Sequence, residues 1–129
     1  MESLDVNDTS ARRFTVLFVE DEQPVRDTVV EVLRNHGFGV LCAADGYDAI
    51  RLLVEFPVDL LFTDIVMPGL SGFELAQQAK LIRPHLRVLY VSGYADEMRS
   101  GGGVRHGKLL SKPLRADDMV AEVRHALAA

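Results

Sequence analysis

The sequence predicts an α/β domain in which a five-stranded parallel sheet carries helices on both faces. Short apolar runs, of which Leu60-Leu61-Phe62 is the clearest, alternate along the chain with segments of helical periodicity. The runs lack the alternation of apolar and polar residues that marks half-exposed strands, so both of their faces should be covered, as in parallel sheets. With 129 residues, 48% of them hydrophobic, the chain suits one domain with a sizeable core.

Strands and helices follow one another in strict alternation, and turn residues separate them. Pro24 is acceptable in the first turn of the first helix, which should stop near Gly37, and the second helix should end before Pro57. Arg83-Pro84 closes the third helix. The predicted order is strand Thr15–Val19, helix Pro24–Asn35, strand Gly39–Ala43, helix Gly46–Glu55, strand Leu60–Phe62, helix Ser71–Ile82, strand Arg87–Val91, helix Tyr94–Ser100, strand Lys108–Ser111 and helix Ala116–Ala128.

Apolar residues at helical spacing identify the face that each helix turns to the core. The lone cysteine, Cys42, falls within the second strand, where we expect a small core residue rather than a reactive thiol. The inward positions are Val25, Val29, Val32 and Leu33 in the first helix, Ala49, Leu52 and Leu53 in the second, Leu75, Ala76, Ala79 and Ile82 in the third, and Met119, Val120, Val123 and Leu127 in the fifth.

The fourth helix is the least regular element of the prediction. The segment from Tyr94 to Ser100 covers about two turns before three consecutive glycines, 101–103, which would cost roughly 3 kcal/mol relative to alanines in a helix. We therefore expect this helix to be short or irregular. Two interpretations stay open: a surface loop without a role, or a mobile part of an output surface.

Acidic residues follow two of the predicted strands. Asp64 stands at the end of the third strand, before a Met-Pro-Gly turn, and Glu20 and Asp21 follow the first strand. Because ligands of such sheets lie beyond the carboxyl ends of the strands, these side chains should meet at one edge. Carboxylates about 4 Å apart repel by roughly 4 kcal/mol per pair, and Mg²⁺, which prefers oxygen ligands, is the natural counter-charge. Two alternatives remain. Asp64 could cap the next helix, and the acids after the first strand could merely occupy the start of a helix, where the dipole favours negative charge.

Two further strands end in residues of complementary chemistry. Ser92 follows the fourth strand, and Lys112-Pro113 follows the fifth. An acidic pair after strand 1, Asp after strand 3, Ser after strand 4 and Lys-Pro after strand 5 together make the chain similar to the receiver domains of two-component response regulators. The resemblance extends over about residues 14–127. It implies a doubly wound, flavodoxin-like sheet of order 2-1-3-4-5 over residues 14–129, with residues 1–13 as a disordered lead or linker.

The resemblance also implies a mechanism. Asp64 would accept a phosphoryl group from a histidine kinase or a histidine phosphotransfer protein. The chain would not be an enzyme, apart from catalysing this transfer to itself and its own dephosphorylation. Mg²⁺ or Mn²⁺ would be held by Asp21, Asp64 and the backbone carbonyl of Val66, with Glu20 reaching the ion through water. Lys112 and Ser92 would bind the phosphoryl group. Pro113 is a candidate for a cis peptide bond.

Three positions depart from the family pattern. Glu20 stands where the family often has Asp, and the glycines at 101–103 shorten the fourth helix. Leu109 occupies the position of the usual aromatic switch residue, so coupling through an inward ring flip cannot operate in its usual form. Val66 and Tyr94, two residues beyond Asp64 and Ser92, should flank the path of attacking water and lengthen the lifetime of the phosphoryl group.

Composition and residue pattern exclude several other functions. A net charge of -5 with scattered basic residues argues against direct nucleic-acid binding, and the lack of a long apolar stretch or a signal peptide argues against a membrane association, so we expect a cytoplasmic protein. An aspartyl-phosphate phosphohydrolase would typically have Asp in place of Val66. In the absence of a metal ion, the acids after the first strand would repel the phosphate of a nucleotide or flavin.

The output of the chain is open at the level of sequence. Only Ala128-Ala129 follows the fifth helix, so we expect the chain to act through another protein. Met1 and the polar lead favour a stand-alone regulator, and a receiver taken from a hybrid histidine kinase is the alternative. In the family the face formed by helix 4, strand 5 and helix 5 commonly carries the signal to a downstream protein. A phosphorylation-independent interaction module remains the competing function.

Overall fold

A computed structural model describes residues 13–93 and 105–128 of the chain. These ranges contain five strands and four helices. The strands are β1 (Thr15–Val19), β2 (Gly39–Ala43), β3 (Leu60–Asp64), β4 (Arg87–Ser92) and β5 (Gly107–Ser111), and the helices are α1 (Gln23–Asn35), α2 (Gly46–Glu55), α3 (Gly72–Ile82) and α4 (Ala116–Ala128). Strands and helices alternate from β1 to β4.

The five strands form one parallel sheet in the order β2-β1-β3-β4-β5. This order agrees with the order that the family resemblance implies. All carboxyl ends of the strands therefore lie along one edge of the sheet, and the order reverses beside β1, where α/β sheets open a crevice for ligands. The register pairs Val19 of β1 with Thr63 of β3, so the residues that follow them, Glu20 and Asp64, come side by side.

Successive residues of each strand enter two separate cores. Leu61 of β3 and Tyr90 of β4 join α2 and α3 on one face of the sheet, whereas Phe62 and Leu89 join α1 and α4 on the other. Both faces of the central strands are thus covered, which explains why β3 shows no polar residue before Thr63. The resulting rigid sheet fixes the residues at its carboxyl edge.

The predicted elements agree with the structure to within one or two residues at each end where they lie in the described ranges, and α4 corresponds to the fifth predicted helix. The predicted fourth helix and the glycines at 101–103 lie outside the described residues, as does nearly all of the predicted lead, 1–13. No helix within the two described ranges is long and apolar enough to cross a bilayer.

The expectation of a buried Cys42 is wrong, because this side chain is exposed. Cys42 lies on the same face of β2 as the buried Val40, two residues farther along the strand. Since β2 is an edge strand of the sheet that the described residues form, no further strand in that part of the chain shields this position from solvent. The sequence does not distinguish an edge strand from a central one when both are apolar.

Candidate functional site

Three carboxylates meet at the carboxyl edge of the sheet. Glu20 and Asp21 follow β1, Asp64 ends β3, and one carboxylate oxygen from each lies within 4.8 Å of the others. The adjacency of β1 and β3 brings them together across more than forty residues of sequence. The structure therefore places the three predicted acids in one cluster.

Glu20 and Asp64 are buried, whereas Asp21 is exposed. Burial raises the pKa of Glu20 to about 7; the charge of Asp64 adds to this shift, while the Glu22 N–H and Lys112 oppose it. Burial likewise raises the pKa of Asp64, against the lowering influence of Lys112 and of the Ile65 N–H. The cluster thus holds more negative charge than its surroundings stabilise, which favours a bound cation.

Lys112, directly after β5, supplies one cation. Its ammonium nitrogen lies 3.3 Å from Oδ2 of Asp64 and 3.7 Å from Oε1 of Glu20, so it contacts both buried acids. The backbone N–H of Lys112 donates to the carbonyl of Ser92 at 2.8 Å, which extends the β4–β5 pairing up to the site. The bond between Lys112 and Pro113 is cis.

Ser92 ends β4 beside the carboxylates. Because Val91 pairs with Asp64 in the sheet, Ser92 stands one residue beyond the level of Asp64 on the neighbouring strand. The side chain is fully buried, and its Oγ has no hydrogen-bond partner among the described residues. Buried hydroxyls are rarely left without a partner, so a group outside the described residues should bind this one.

The backbone of the loop between β3 and α3 packs closely against Asp64. The N–H of Ile65 donates to Oδ1 of Asp64 at 3.0 Å, and the N–H of Gly72 donates to the carbonyl of Ile65 at 2.7 Å. A Cβ at position 72 would overlap the carbonyl oxygen of Asp64, so only glycine allows α3 to begin this close. Ser71 caps the helix through a capping box with Glu74.

The cluster could hold a hard divalent cation. All three acids offer oxygen ligands, and Oε1 of Glu20 is buried without a hydrogen-bond partner among the described residues. A small cation that keeps several of its waters is usually bound by one or two carboxylates together with phosphate oxygens. The donors present fit such an ion.

The comparisons with known proteins agree with this arrangement. The family model for the response regulator receiver domain matches residues 16–124. The chain belongs to this family. Its fold and its membership, both predicted from the sequence, are confirmed. As a receiver domain of two-component response regulators it is a signalling domain rather than a conventional enzyme.

Individual relatives cover most of this receiver domain. It is 36% identical over 116 residues to the response regulator receiver protein CpdR of Brucella abortus, covering 88% of this chain and 97% of that protein. It is 32% identical to the sensor kinase CckA of the same organism, again over 88% of this chain but only 12% of the kinase. A solved receiver protein from Sinorhizobium medicae superimposes with a TM-score of 0.82 at 28% identity, covering 92% and 97% of the two chains.

The position of the usual aromatic switch residue has a distinct environment in this receiver domain. Leu109 is half-buried in β5 and pairs in register with Tyr90 of β4. Tyr90 is fully buried, its ring centroid lies 4.9 Å from that of Phe73, and its hydroxyl accepts a hydrogen bond from the His106 N–H at 3.0 Å. An aromatic ring is thus present beside position 109, on the neighbouring strand.

Two other residues complete the description of the predicted site. Val66 lies two residues after Asp64 with 39% of its surface exposed, and Tyr94 lies outside the described residues.

The sequence analysis did not identify Tyr90 or Arg26 as residues that contribute to the surroundings of the site. Arg26 lies five residues after Asp21, and that spacing, which places a first-turn helix residue near the preceding loop, is the only signal that could have indicated it.

Proposed function

We propose that Asp64 accepts a phosphoryl group from a phosphohistidine of a histidine kinase or a histidine phosphotransfer protein. The observation that carries this proposal is the buried Asp64 carboxylate, contacted by Lys112 and placed within 4.8 Å of oxygens from Glu20 and Asp21. No comparable grouping of acids occurs elsewhere in the described residues.

The transfer is a substitution at phosphorus. A carboxylate oxygen of Asp64 attacks the phosphorus atom, the bond from phosphorus to the donor imidazole nitrogen breaks, and its electron pair returns to that nitrogen. The product is an acyl phosphate on Asp64. Lys112 already lies against Oδ2 of Asp64, so its fixed positive charge stands where negative charge accumulates on the phosphoryl oxygens.

Asp21, Asp64 and the carbonyl of Val66 would hold Mg²⁺ or Mn²⁺, with Glu20 acting through water. When bound, the ion neutralises charge on the phosphoryl oxygens and orients them for in-line attack. Oε1 of Glu20, which accepts no hydrogen bond from the described residues, supports this assignment, because a buried carboxylate with a raised pKa gains most from a nearby cation.

Ser92 would couple the phosphorylation of Asp64 to a change at the surface of the domain. Its buried hydroxyl would donate to a phosphoryl oxygen, and the accompanying movement at the end of β4 would bias the surface read by a downstream protein. The face around β5 and α4 is the proposed surface for that protein. The receiver unit would comprise residues 14–129 and act in a phosphorelay through its partners.

The proposal is tested by labelling the protein with radioactive acetyl phosphate in the presence and absence of Mg²⁺. The unsubstituted chain should become labelled only with Mg²⁺, and Asp64→Asn should not. Asp48→Asn, which alters a partly exposed acid paired with Arg51 on α2, should label normally. If the unsubstituted chain takes up no label, the phosphoacceptor function is wrong and the alternative, a phosphorylation-independent interaction module, is favoured.

A further inference from the structure

Arg26, in the first turns of α1, binds the backbone of the loop that carries the acidic pair. Its Nη1 donates to the carbonyl oxygen of Glu20 at 2.8 Å and lies 3.5 Å from the carbonyl oxygen of Asp21. These two carbonyls belong to the peptide groups on either side of the Asp21 Cα. One guanidinium nitrogen therefore reaches both peptide planes that define the backbone conformation of Asp21.

Asp21 is the member of the cluster that most needs such support. Glu20 is buried, its N–H donates to the carbonyl of Ala43 at 3.1 Å, and its Oε2 accepts from the Glu22 N–H at 3.1 Å. Asp21 instead is exposed and lies between β1 and α1, where neither a strand ladder nor a helix fixes its backbone. The peptide planes around it determine the direction of its carboxylate.

The guanidinium of Arg26 brings a positive charge to this loop without binding the carboxylate oxygens. A guanidinium is always protonated, and that of Arg26 contacts the carbonyl oxygens of Glu20 and Asp21, so it leaves the acidic oxygens for a cation. Lys112 differs, because its ammonium group lies directly against Asp64 and Glu20. The two cations thus have separate roles around one site.

We propose that Arg26 is a positioning residue for the divalent-cation site, holding the Glu20–Asp21 peptide so that the carboxylate of Asp21 faces the ion. The assignment rests on the proposed function, which requires the ion. Groups that orient metal ligands without touching the metal typically change metal affinity by about 10- to 100-fold when they are removed. Arg26 is such a group.

Calorimetric titration of the full chain with Mg²⁺, and separately with Mn²⁺, tests this role. Arg26→Gln should raise the dissociation constant at least about 10-fold. Arg34→Gln is the matched control, since Arg34 also extends from α1 to a backbone carbonyl, that of Val40 at 3.1 Å, but in the edge strand β2. Its affinity should equal that of the unsubstituted chain. Arg26→Lys, which keeps the charge and one donor, should give an intermediate value.

Thermal unfolding of each cation-free variant, followed by circular dichroism, provides a second readout. Similar unfolding midpoints for Arg26→Gln and Arg34→Gln, combined with weaker binding only in the former, support the assignment. If Arg26→Gln does not fold, Arg26→Lys decides the question alone. Equal affinity in the unsubstituted chain and in the Arg26 variants overturns the role of Arg26 and leaves the proposed function standing. Absence of cation binding in the unsubstituted chain overturns both.

Discussion

The ammonium nitrogen of Lys112 lies 3.3 Å from Oδ2 of Asp64, although 48 residues separate the two in the sequence. The contact exists because β3 and β5 flank β4 in a single parallel sheet, so that their carboxyl ends reach the same edge. Lys112 also lies 3.7 Å from Oε1 of Glu20. Burial raises the pKa of both acids, and the charge of Lys112 opposes that rise.

Lys112→Met should slow phosphorylation of Asp64 by about 100-fold, because it removes a preorganised cation from the position where negative charge accumulates. The pKa of Asp64 should rise as well, which leaves less of the nucleophilic carboxylate. The rate of labelling by acetyl phosphate at saturating Mg²⁺ measures the effect. Lys108→Met is the control, since Lys108 is in the same strand but pairs with Glu122 on the exposed surface. Equal rates in the two variants would contradict the role of Lys112.

Glu20 should make the cation-free protein less stable as pH rises. Its pKa is about 7 in the folded protein, against an ordinary value of 4.5 for glutamate. Between these pH values the folded state therefore holds a proton that the unfolded chain has released. The free energy of unfolding then falls through this window, by up to roughly 3 kcal/mol, and becomes level above it. The raised pKa of Asp64 contributes with the same sign.

Chemical denaturation at several pH values between 4.5 and 8, with a chelator present, measures this dependence. Glu20→Gln cannot ionise, so most of the slope should disappear, whereas Glu31→Gln, on the exposed side of α1, should keep it. Saturating Mg²⁺ should restore stability mainly at the upper end of the range, because the ion binds the ionised carboxylates. A slope that survives unchanged in Glu20→Gln would show that another group is responsible.

The sequence was most informative where chemistry and strand ends coincide. Apolar runs that stop at Glu20 or Asp64 define both a buried strand and an edge at which polar groups must collect, so the fold and the cluster could be predicted together. Contacts between a side chain and the backbone of another element could not be predicted in this way. Neither the bond from Arg26 to the Glu20 carbonyl nor that from the His106 N–H to Tyr90 has a periodic signature. The exposure of Cys42 likewise depends on strand order.

Tyr90→Phe should lower the free energy of unfolding by about 1 to 2 kcal/mol. The substitution keeps the ring against Phe73 but leaves the partly buried His106 N–H without its acceptor, and an unsatisfied donor costs about this much. Urea denaturation measures the change. Tyr47→Phe is the matched control, because Tyr47 is 63% exposed and its loss of a hydroxyl should change stability by less than about 0.5 kcal/mol. Equal denaturation midpoints would contradict a stabilising role for the Tyr90 hydroxyl.

Val66→Asn should shorten the lifetime of phosphorylated Asp64. Val66 lies two residues beyond Asp64 with 39% of its surface exposed, and we predict that its apolar side chain borders the approach to the phosphoryl group, where an amide would bind and orient water. Loss of label after removal of the phosphodonor should be roughly 3- to 10-fold faster, equivalent to about 1 kcal/mol in the barrier. Val54→Asn, at a position 66% exposed on α2, should not change the rate. Unchanged or slower loss in Val66→Asn would show that Val66 does not shield the acyl phosphate; Tyr94→Glu extends the same test to the predicted partner position outside the described residues.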